Sequence, residues 1–256
     1  MGRLFVVGLG PGAPELLTLE ARAALERAEV IVGYHAYVDQ VRCWRPGVAI
    51  RATPIGAERE RAQEAVQLAA MGRTVALVSS GDAGVYGMAG LALEEWERVP
   101  AAQRPALTVV PGVTALLAAA ALLGAPLGTD FAAISLSDLL VPWPSIVRRL
   151  EAAAAADFVL GLYNPASATR HWQLGAAVGI LLQHRSPDTP VGVVRAAYRD
   201  GQRTAIVALG EVPAQPVDML TILIVGNSHT RRCHDWLLTP RGYRSRPDEA
   251  ASWVPG

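Results

Sequence analysis

Residues 4–12 read Leu4-Phe5-Val6-Val7-Gly8-Leu9-Gly10-Pro11-Gly12, a short apolar run that leads directly into a glycine-rich loop. A second apolar run, residues 74–78, leads into Ser79-Ser80-Gly81-Asp82-Ala83-Gly84-Val85-Tyr86-Gly87-Met88-Ala89. Glycine directly after a strand indicates that the backbone turns tightly or lets a ligand approach closely. Two such loops in one half of the chain predict a single ligand held between them.

Apolar runs of strand length alternate with helix-like segments in both halves of the chain. In the first half we predict strands at 3–8, 29–33, 48–51, 74–79 and 107–111 and helices at 16–28, 58–71, 88–98 and 113–123. In the second half we predict strands at 131–136, 157–163, 190–195, 204–209 and 219–225 and helices near 145–156 and 170–184. This alternation predicts an α/β fold with two α/β domains, mostly parallel sheets and the active-site cleft between the domains.

The stretch around Gly124 and Pro126 separates the two halves. The predicted parts are an N-terminal domain at 1–112, a linker helix and turn at 113–127, a C-terminal domain at 128–243 and a tail at 244–256. From Arg231 on the sequence is polar, which predicts an irregular covering arm or a frayed end. In the helix at 58–71, alanines form one apolar stripe and Arg61 lies off it.

The basic residues are unusual, because all 23 are arginine and the chain has no lysine. This excludes a Schiff-base lysine, a pyridoxal phosphate lysine and a phosphate-loop lysine. Arginine remains available to bind anions through its fork of N–H groups. The 23 acidic residues bring the net charge to zero. Since there is also no basic run, we predict no nucleic-acid partner.

Neither the cysteines nor the apolar segments indicate a metal centre or a membrane protein. Cys43 and Cys233 are isolated, which predicts free thiols in a reducing cytoplasm and no metal site. The most apolar segment, Val113 to Leu127, is too short to span a bilayer. The first apolar run is cut off by Gly10-Pro11 and does not resemble a signal peptide. We therefore predict a cytoplasmic protein without a membrane partner.

The loop sequences also bear on the kind of ligand. Pro11 and Pro14 interrupt the point at which a dinucleotide-binding helix begins, and Val32-Gly33-Tyr34 lacks the acidic residue that binds ribose hydroxyls. Asp82 lies between two glycines and could bind an ammonium group or hydroxyls; the alternative is an Asx turn or a helix cap. S-adenosylmethionine carries an α-ammonium group and a sulfonium and requires neither lysine nor a metal.

Together these motifs resemble those of the tetrapyrrole methylase family, the class III S-adenosylmethionine-dependent methyltransferases. Gly8 to Gly12, followed by Glu15-Leu16-Leu17-Thr18, looks like the family's N-terminal signature, and residues 80–89 resemble its GDP loop. Further stretches are similar to the subfamily that methylates C-17 in cobalamin biosynthesis: Val32-Gly33-Tyr34, Ser135-Leu136-Ser137-Asp138-Leu139-Leu140, Leu162-Tyr163-Asn164-Pro165, Val225-Gly226-Asn227-Ser228 and Thr239-Pro240-Arg241-Gly242-Tyr243. The resemblance covers residues 3–243, with one departure, because Ala83 replaces the proline usual in the family.

The resemblance implies S-adenosylmethionine as the cofactor, S-adenosylhomocysteine as the product and a precorrin, a tetrapyrrole, as the substrate. Relatives of this class are typically homodimers, so the resemblance implies a homodimer. The residues implied to bind the cofactor are Pro11, Gly81, Asp82, Val85, Tyr86, Thr114, Ala115, Tyr163, Asn164, Ala196 and Thr221.

The subfamily methylates C-17 of precorrin-3B and contracts the ring to precorrin-4, which requires proton transfers. The candidates for catalysis are Asp138 and Ser137, then His35 and Asp39. Ser137 could instead cap a turn, and His35 could be a loop histidine with an ordinary partner. Because the substrate carries several carboxylates, the candidates for binding it are Tyr37, Arg42, Arg45, Arg51 and Arg195; each arginine could equally be a solvated surface residue.

Three alternative functions stay open from the sequence. One is a sibling corrin-pathway methylase that acts at C-11. Another is a ribosomal RNA ribose methylase of the same fold, which the neutral charge disfavours. The third is a nucleotide-binding module without catalytic activity.

Overall fold

The chain is described for residues 2–243 of a computed structural model, apart from the side chain of Cys43, and the predicted tail at 244–256 lies outside the described residues. The described chain divides into two units. The first comprises the residues up to 118 together with Ala197–Asp200. The second comprises Ala119–Ala196 and the residues from 201.

The first unit is built on a five-stranded sheet. Its strands are β1 (Arg3–Gly8), β2 (Val30–Tyr34), β3 (Ala49–Thr53), β4 (Thr74–Ser79) and β5 (Ala106–Val110). They lie in the order β3-β2-β4-β1-β5, and every pairing is parallel. The parallel sheet predicted for this half is confirmed.

Helices cover both faces of this sheet. They are α1 (Leu19–Arg27), α2 (His35–Trp44), α3 (Glu58–Ala70) and α4 (Ala89–Glu97), with short 3₁₀ turns at Pro14–Leu16 and Ala101–Gln103. Helix α5 (Ala115–Leu123) follows β5, and only its first four residues belong to the first unit. Along β1, Leu4 and Val6 pack in the cluster that contains α3 and α4 residues. Phe5 and Val7 pack in the cluster that contains α1 and α2 residues. This alternation is the two-residue period of a strand buried on both faces.

Two sequence expectations for this unit are wrong. Helix α2 was not predicted, although Val38 and Val41 lie one helical turn apart and are both buried. Arg61, placed off the buried stripe of α3, is only 3% exposed. Its guanidinium donates to Thr53 Oγ1 at 2.7 Å and to the Pro54 carbonyl at 2.8 Å, so the buried charge has hydrogen-bond partners.

The second unit contains a second five-stranded sheet. In chain order, the elements of the second unit are β6 (Gly124–Ala125), β7 (Phe131–Ser135), α6 (Trp143–Ala155), β8 (Val159–Tyr163), α7 (Trp172–Leu181), β9 (Pro190–Arg195), β10 (Arg203–Ala208), a 3₁₀ helix at Leu209–Ala214, β11 (Thr221–Val225), β12 (Arg231–Cys233) and β13 (Trp236–Leu238). The main sheet has the order β10-β9-β11-β8-β7.

The expectation of mostly parallel strands is wrong for this second sheet. Only β7 and β8 pair in parallel, whereas β8–β11, β11–β9 and β9–β10 are antiparallel. The reason is the connections. Helices follow β7 and β8, but no α-helix of the described chain follows β9 or β10, and short connections favour antiparallel neighbours.

The irregular segment predicted from Arg231 on is also wrong within the described residues. β12 and β13 form an antiparallel pair, and β13 pairs in parallel with β6. Trp236 and Leu238 flank the fully buried Leu237, so the polar sequence still carries one anchoring side chain. No helix within residues 2–243 has both the length and the apolar character needed to cross a membrane.

Candidate functional site

The carboxyl ends of β1 and β4 form a topological switch point in the first unit. These strands are neighbours, yet β1 leads through α1 to β2 beyond β4, whereas β4 leads through α4 to β5 beyond β1. Connections that leave in opposite directions open a crevice at the carboxyl ends of the strands, which is where α/β proteins bind ligands. Both glycine-rich loops begin at this point.

The two glycine-rich loops are joined directly through their backbones. The Gly10 N–H donates to the Gly81 carbonyl at 3.0 Å, and the Gly81 N–H donates to the Gly10 carbonyl at 2.8 Å. Gly10 has φ +73° and Gly81 has φ +65°, a region that disfavours residues with a Cβ atom. The structure thus brings together the two loops that the sequence singled out.

A third loop, which follows β5, meets them at the same edge. A Cβ atom added at Gly8 would lie 2.7 Å from the Gly81 carbonyl oxygen and 2.8 Å from the Gly112 nitrogen. Glycine at position 8 therefore permits this close backbone approach. Two of the predicted cofactor residues lie just beyond Gly112: Thr114 precedes α5, and Ala115 is its first residue. The Thr114 Cα would lie 3.5 Å from a Cβ added at Gly81.

Asp82 organises this arrangement. Its Oδ1 accepts a hydrogen bond from the Gly84 N–H at 2.8 Å, which is an Asx turn. Its Oδ2 accepts one from the Gly112 N–H at 2.9 Å. Both the local turn and a link to the β5 loop are therefore present, and each oxygen retains a further lone pair for a ligand.

The remainder of the second loop presents side chains to solvent. Val85 and Tyr86 are 37% and 56% exposed, and Tyr86 has φ +53°. Ala83, which replaces the usual proline, is 1% exposed and packs with Met88 and Ala89. Its carbonyl accepts the Ala89 N–H at 2.9 Å, so the turn closes without proline.

Arg199, which the sequence did not indicate, also contacts both loops. Its Nε donates to the Pro11 carbonyl, and its Nη2 donates to Ser80 Oγ at 2.5 Å. A Cβ added at Gly12 would lie 2.5 Å from the Arg199 Cγ, so Gly12 makes room for this side chain. Burial lowers the pKa of Arg199, and the nearby Tyr37 opposes that shift. No local signal could reveal this residue, since it lies 188 positions from Pro11.

Helix α2 carries four of the predicted catalytic and substrate-binding residues. His35 and Asp39 are exposed, and Asp39 pairs with the exposed Arg42 at 3.6 Å. Tyr37 is half-buried and packs edge-on against Tyr34, with ring centroids 5.1 Å apart. Burial raises the pKa of the Tyr37 hydroxyl, with Arg199 opposing, so this hydroxyl is a neutral donor at physiological pH.

The predicted substrate-binding arginines of the first unit differ in the contacts that hold their side chains. Arg45 donates to the Leu25 carbonyl at 3.0 Å and also to the Glu26 and Ala28 carbonyls, so it caps the end of α1. Arg51 lies 3.6 Å from Glu64 and is mostly exposed. Arg45 is thus committed to the fold, whereas Arg42 and Arg51 make only exposed ion pairs, which are weak.

In the second unit, one edge of the sheet collects the other predicted residues. Since β7, β8 and β9 run in one direction and β10 and β11 in the other, the carboxyl ends of the first three share an edge with the amino ends of the last two. Tyr163 ends β8 and is buried. Asn164 follows with φ +51°, and its Nδ2 donates to Ser135 Oγ at 2.9 Å.

Ser137 and Asp138 follow β7 at this edge. The Ser137 N–H donates to Ser135 Oγ at 3.2 Å. Gln173 Nε2 donates to both carboxylate oxygens of Asp138, each at 3.0 Å, from a side chain in a residue that is 2% exposed. A buried amide therefore holds the Asp138 carboxylate, and sequence analysis did not predict Gln173.

Arg195, Ala196 and Thr221 lie at the same edge. Arg195 Nε donates to Asp218 Oδ2 at 2.9 Å, and the Thr221 hydroxyl donates to Asp218 Oδ1 at 2.8 Å. Burial alone would raise the pKa of Asp218, but hydrogen bonds from Thr221, the Leu220 N–H and Arg195 lower it overall. Ala196 is buried with φ +50°, and its N–H donates to the Leu220 carbonyl at 2.9 Å.

The titratable side chains form no metal centre in the described part of the chain. Within residues 2–243, no three His, Cys, Asp or Glu residues are grouped so that they could hold a metal ion. Cys233 is a free thiol of intermediate burial.

Comparison with known proteins shows that this chain is similar to tetrapyrrole methylases. The family model described as Tetrapyrrole (Corrin/Porphyrin) Methylases matches residues 3–213. The chain is 46% identical to the probable cobalt-factor III C(17)-methyltransferase of Salmonella typhimurium, covering 94% of this chain and 99% of that protein. It is 44% identical to the precorrin-3B C(17)-methyltransferase of a Sinorhizobium species, covering 94% and 97%. It is also 46% identical to the cobalt-factor III methyltransferase of Priestia megaterium. That match includes 96% of this chain but only 46% of the longer relative.

Solved structures agree with these relatives. The crystal structure of the methyltransferase CobJ matches with a TM-score of 0.88 and 41% identity, covering 94% of this chain and all of that one. A uroporphyrin-III C-methyltransferase from Thermus thermophilus, complexed with S-adenosylhomocysteine, matches with a TM-score of 0.70 and 27% identity, covering 88% and 97%.

Proposed function

Because this chain belongs to the tetrapyrrole methylase family, we propose that it is the enzyme that methylates C-17 of precorrin-3B, or of its cobalt-containing counterpart, with ring contraction. The observation that carries the proposal is the similarity to C(17)-methyltransferases at 44–46% identity over nearly the whole chain. The C-11 alternative has weaker support, since the names of these two relatives give C(17) as the position that they methylate.

The first unit suits S-adenosylmethionine as the cofactor. Its two glycine-rich loops meet at a switch-point crevice, and Asp82 there keeps lone pairs that an α-ammonium group can use. We infer that Pro11, Gly81, Asp82, Val85 and Tyr86 bind the methionine end of the cofactor. Tyr163, Asn164, Ala196 and Thr221 stay a prediction for the adenosine end.

When bound, S-adenosylmethionine supplies a methyl group that is already activated on a sulfonium. The nucleophile is a carbon atom of the substrate, so the chain does not need a strong base for this step. Its main task in this proposal is to orient the two reactants, which can lower a barrier by roughly 7–11 kcal/mol. Loops fixed by the Gly10–Gly81 hydrogen bonds and by Asp82 are suited to that task.

Ring contraction additionally requires proton transfers, and Asp138 is our candidate for them. Its carboxylate is half-buried, and both oxygens accept from the buried Gln173 amide. A carboxylate held in one orientation can accept a proton from a substrate hydroxyl without first reorganising. Ser137, whose N–H is bound by Ser135, lies beside it in sequence and is the second candidate.

The test is a product analysis with two substrates. The chain is incubated with S-adenosylmethionine and either precorrin-3B or the cobalt-containing substrate, and the product is examined by mass spectrometry and NMR. We expect a product heavier by one methylene unit, with the new methyl group at C-17 and an acetyl group at C-1. An unchanged substrate, or a product methylated at a position other than C-17, would show the proposal to be wrong.

Two further properties belong to this proposal. By resemblance we expect a homodimer, which light scattering should detect as a species of twice 27.1 kDa. We also expect a cytoplasmic location, which fractionation of the source cells would test. A monomer at micromolar concentration, or a membrane-bound fraction, would contradict these expectations.

A further inference from the structure

Arg199 is a cation held beside neutral groups. Its hydrogen-bond partners, the Pro11 carbonyl and the Ser80 hydroxyl, carry no charge. Within residues 2–243, no Asp or Glu carboxylate lies within ion-pair distance of its guanidinium. A partly buried charge without a counter-ion is costly unless a ligand supplies one.

The chain nevertheless holds this side chain in place by several means. Gly12 has φ +149° and provides the space that the Arg199 stem occupies. Tyr198, the residue before Arg199, has φ +56°, and Ala196 has φ +50°. Such conformations cost a non-glycine residue of order 1–3 kcal/mol and persist where the surrounding structure imposes them, often at ligand sites.

The guanidinium also has unused donors. An arginine carries five N–H groups in a planar fork. Nε and one N–H of Nη2 are used, so three N–H groups have no hydrogen-bond partner among the described residues. A planar pair of N–H groups matches the two oxygens of a carboxylate.

We propose that Arg199 is a carboxylate-binding residue of the site and that its free N–H groups receive a carboxylate of a ligand held at the two glycine-rich loops. The inference rests on the proposed methyltransferase function. Two ligands of that reaction carry carboxylates, namely the amino-acid end of the cofactor and the acetate and propionate side chains of the tetrapyrrole.

The test compares a ligand that has the carboxylate with one that lacks it. Dissociation constants are measured by calorimetry for S-adenosylhomocysteine and for 5′-methylthioadenosine, which lacks the amino-acid carboxylate. The proteins are the wild type, Arg199→Met, Arg199→Lys and the control Arg22→Met, which removes an exposed arginine on α1. Thermal unfolding of each variant shows whether it is folded.

If the carboxylate is the cofactor's, Arg199→Met raises the dissociation constant of S-adenosylhomocysteine roughly tenfold or more. The dissociation constant of 5′-methylthioadenosine then stays within about twofold of the wild-type value, and Arg199→Lys gives intermediate values. If it is the tetrapyrrole's, neither nucleoside is affected, and KM for the tetrapyrrole rises by a similar factor at saturating cofactor. Both results support the proposal, provided that Arg22→Met behaves like the wild type.

Two results would overturn the proposal. Equal weakening of both nucleosides would mean that Arg199 only supports the loops, and no change in any constant would mean that it binds no ligand. If the wild type itself binds no S-adenosylhomocysteine, the proposed function fails and this inference fails with it.

Discussion

At the residue scale, Asp82 combines a structural and a binding role. Replacing it with Ala leaves the N–H groups of Gly84 and Gly112 without their acceptor. This should reduce the free energy of unfolding by about 1–3 kcal/mol and lower Tm by roughly 2–10 °C. We also expect weaker binding of S-adenosylhomocysteine, measured by calorimetry. Asp82→Asn keeps one acceptor oxygen and should fall in between.

The control for Asp82 is Glu151→Ala, which removes an exposed carboxylate from the interior of α6. It should leave Tm and ligand affinity as in the wild type. If Asp82→Ala lowered Tm but left the affinity unchanged, Asp82 would serve the turn alone and not the cofactor.

Gly12 provides a second test at this scale, because Arg199 occupies the space of its missing side chain. Gly12→Ala adds a Cβ atom 2.5 Å from Arg199 Cγ, and Gly72→Ala adds one with no heavy atom within 4 Å. Both glycines have positive φ, so both variants carry backbone strain of order 1–3 kcal/mol. Only Gly12→Ala should also weaken S-adenosylhomocysteine, as measured by calorimetry. Equal affinities of the two variants would contradict this.

The sequence predicted the two loops but not the side chain that joins them. Glycines after apolar runs are a local pattern, and the Gly10–Gly81 contact follows from their strands being neighbours in a parallel sheet. Arg199 comes from a segment far along the chain, and nothing near it in sequence distinguishes it from the other arginines. Arg45 illustrates the converse, since it was predicted to bind substrate but caps α1.

At the element scale, the alternation of strands and helices predicted the first sheet correctly and the second only in part. The period of the apolar residues gives the type of each element, whereas the direction of a strand depends on the connection before it. Between β9 and β11 the connections lack an α-helix, and the strands there are antiparallel. Helix α2 was missed although Val38, Val41 and Trp44 recur at helical spacing and pack in one core cluster, so the periodic signal was present in the sequence.

Asp157 connects three elements of the second unit and should make its stability depend on pH. The residue precedes β8, and its carboxylate accepts from Arg185 Nη1 at 2.6 Å and from the Ser228 hydroxyl at 2.6 Å. Burial would raise the pKa of Asp157, but the hydrogen bonds from Ser228 and Arg185 lower it overall. Because its pKa is lower in the folded state, the ionised carboxylate stabilises the protein at pH values above the pKa of the unfolded chain. This stabilisation is lost as the pH falls through the pKa of the folded state.

The measurement is Tm between pH 3 and pH 7 for the wild type and Asp157→Asn. Asparagine tolerates the observed φ of +58°, so the variant changes the charge and not the backbone. We expect Asp157→Asn to have the lower Tm at pH 7 and the gap to close as pH falls below about 4. The control Asp188→Asn, at an exposed position, should show no gap. A gap that stays constant down to pH 3 would contradict the linkage.

At the scale of the whole molecule, the absence of lysine restricts how ligand carboxylates can be bound. The positive side chains available at neutral pH are its 23 arginines, apart from protonated histidine. An acylating reagent such as an N-hydroxysuccinimide ester therefore has only the α-amino group of the expressed chain as an amine target. We expect such treatment to leave methyl transfer unchanged. Phenylglyoxal, which modifies arginine, should abolish it.

Protection identifies which arginines matter in this experiment. If Arg199 binds a carboxylate of the cofactor, S-adenosylhomocysteine should slow inactivation by phenylglyoxal, and peptide mass spectrometry should find Arg199 unmodified in the protected sample. Exposed arginines such as Arg22 should be modified with or without ligand, because nothing covers them. Two results would show that carboxylate recognition does not depend on arginine in this chain. One is a loss of methyl transfer on acylation, and the other is a rate of phenylglyoxal inactivation that neither S-adenosylhomocysteine nor the tetrapyrrole changes.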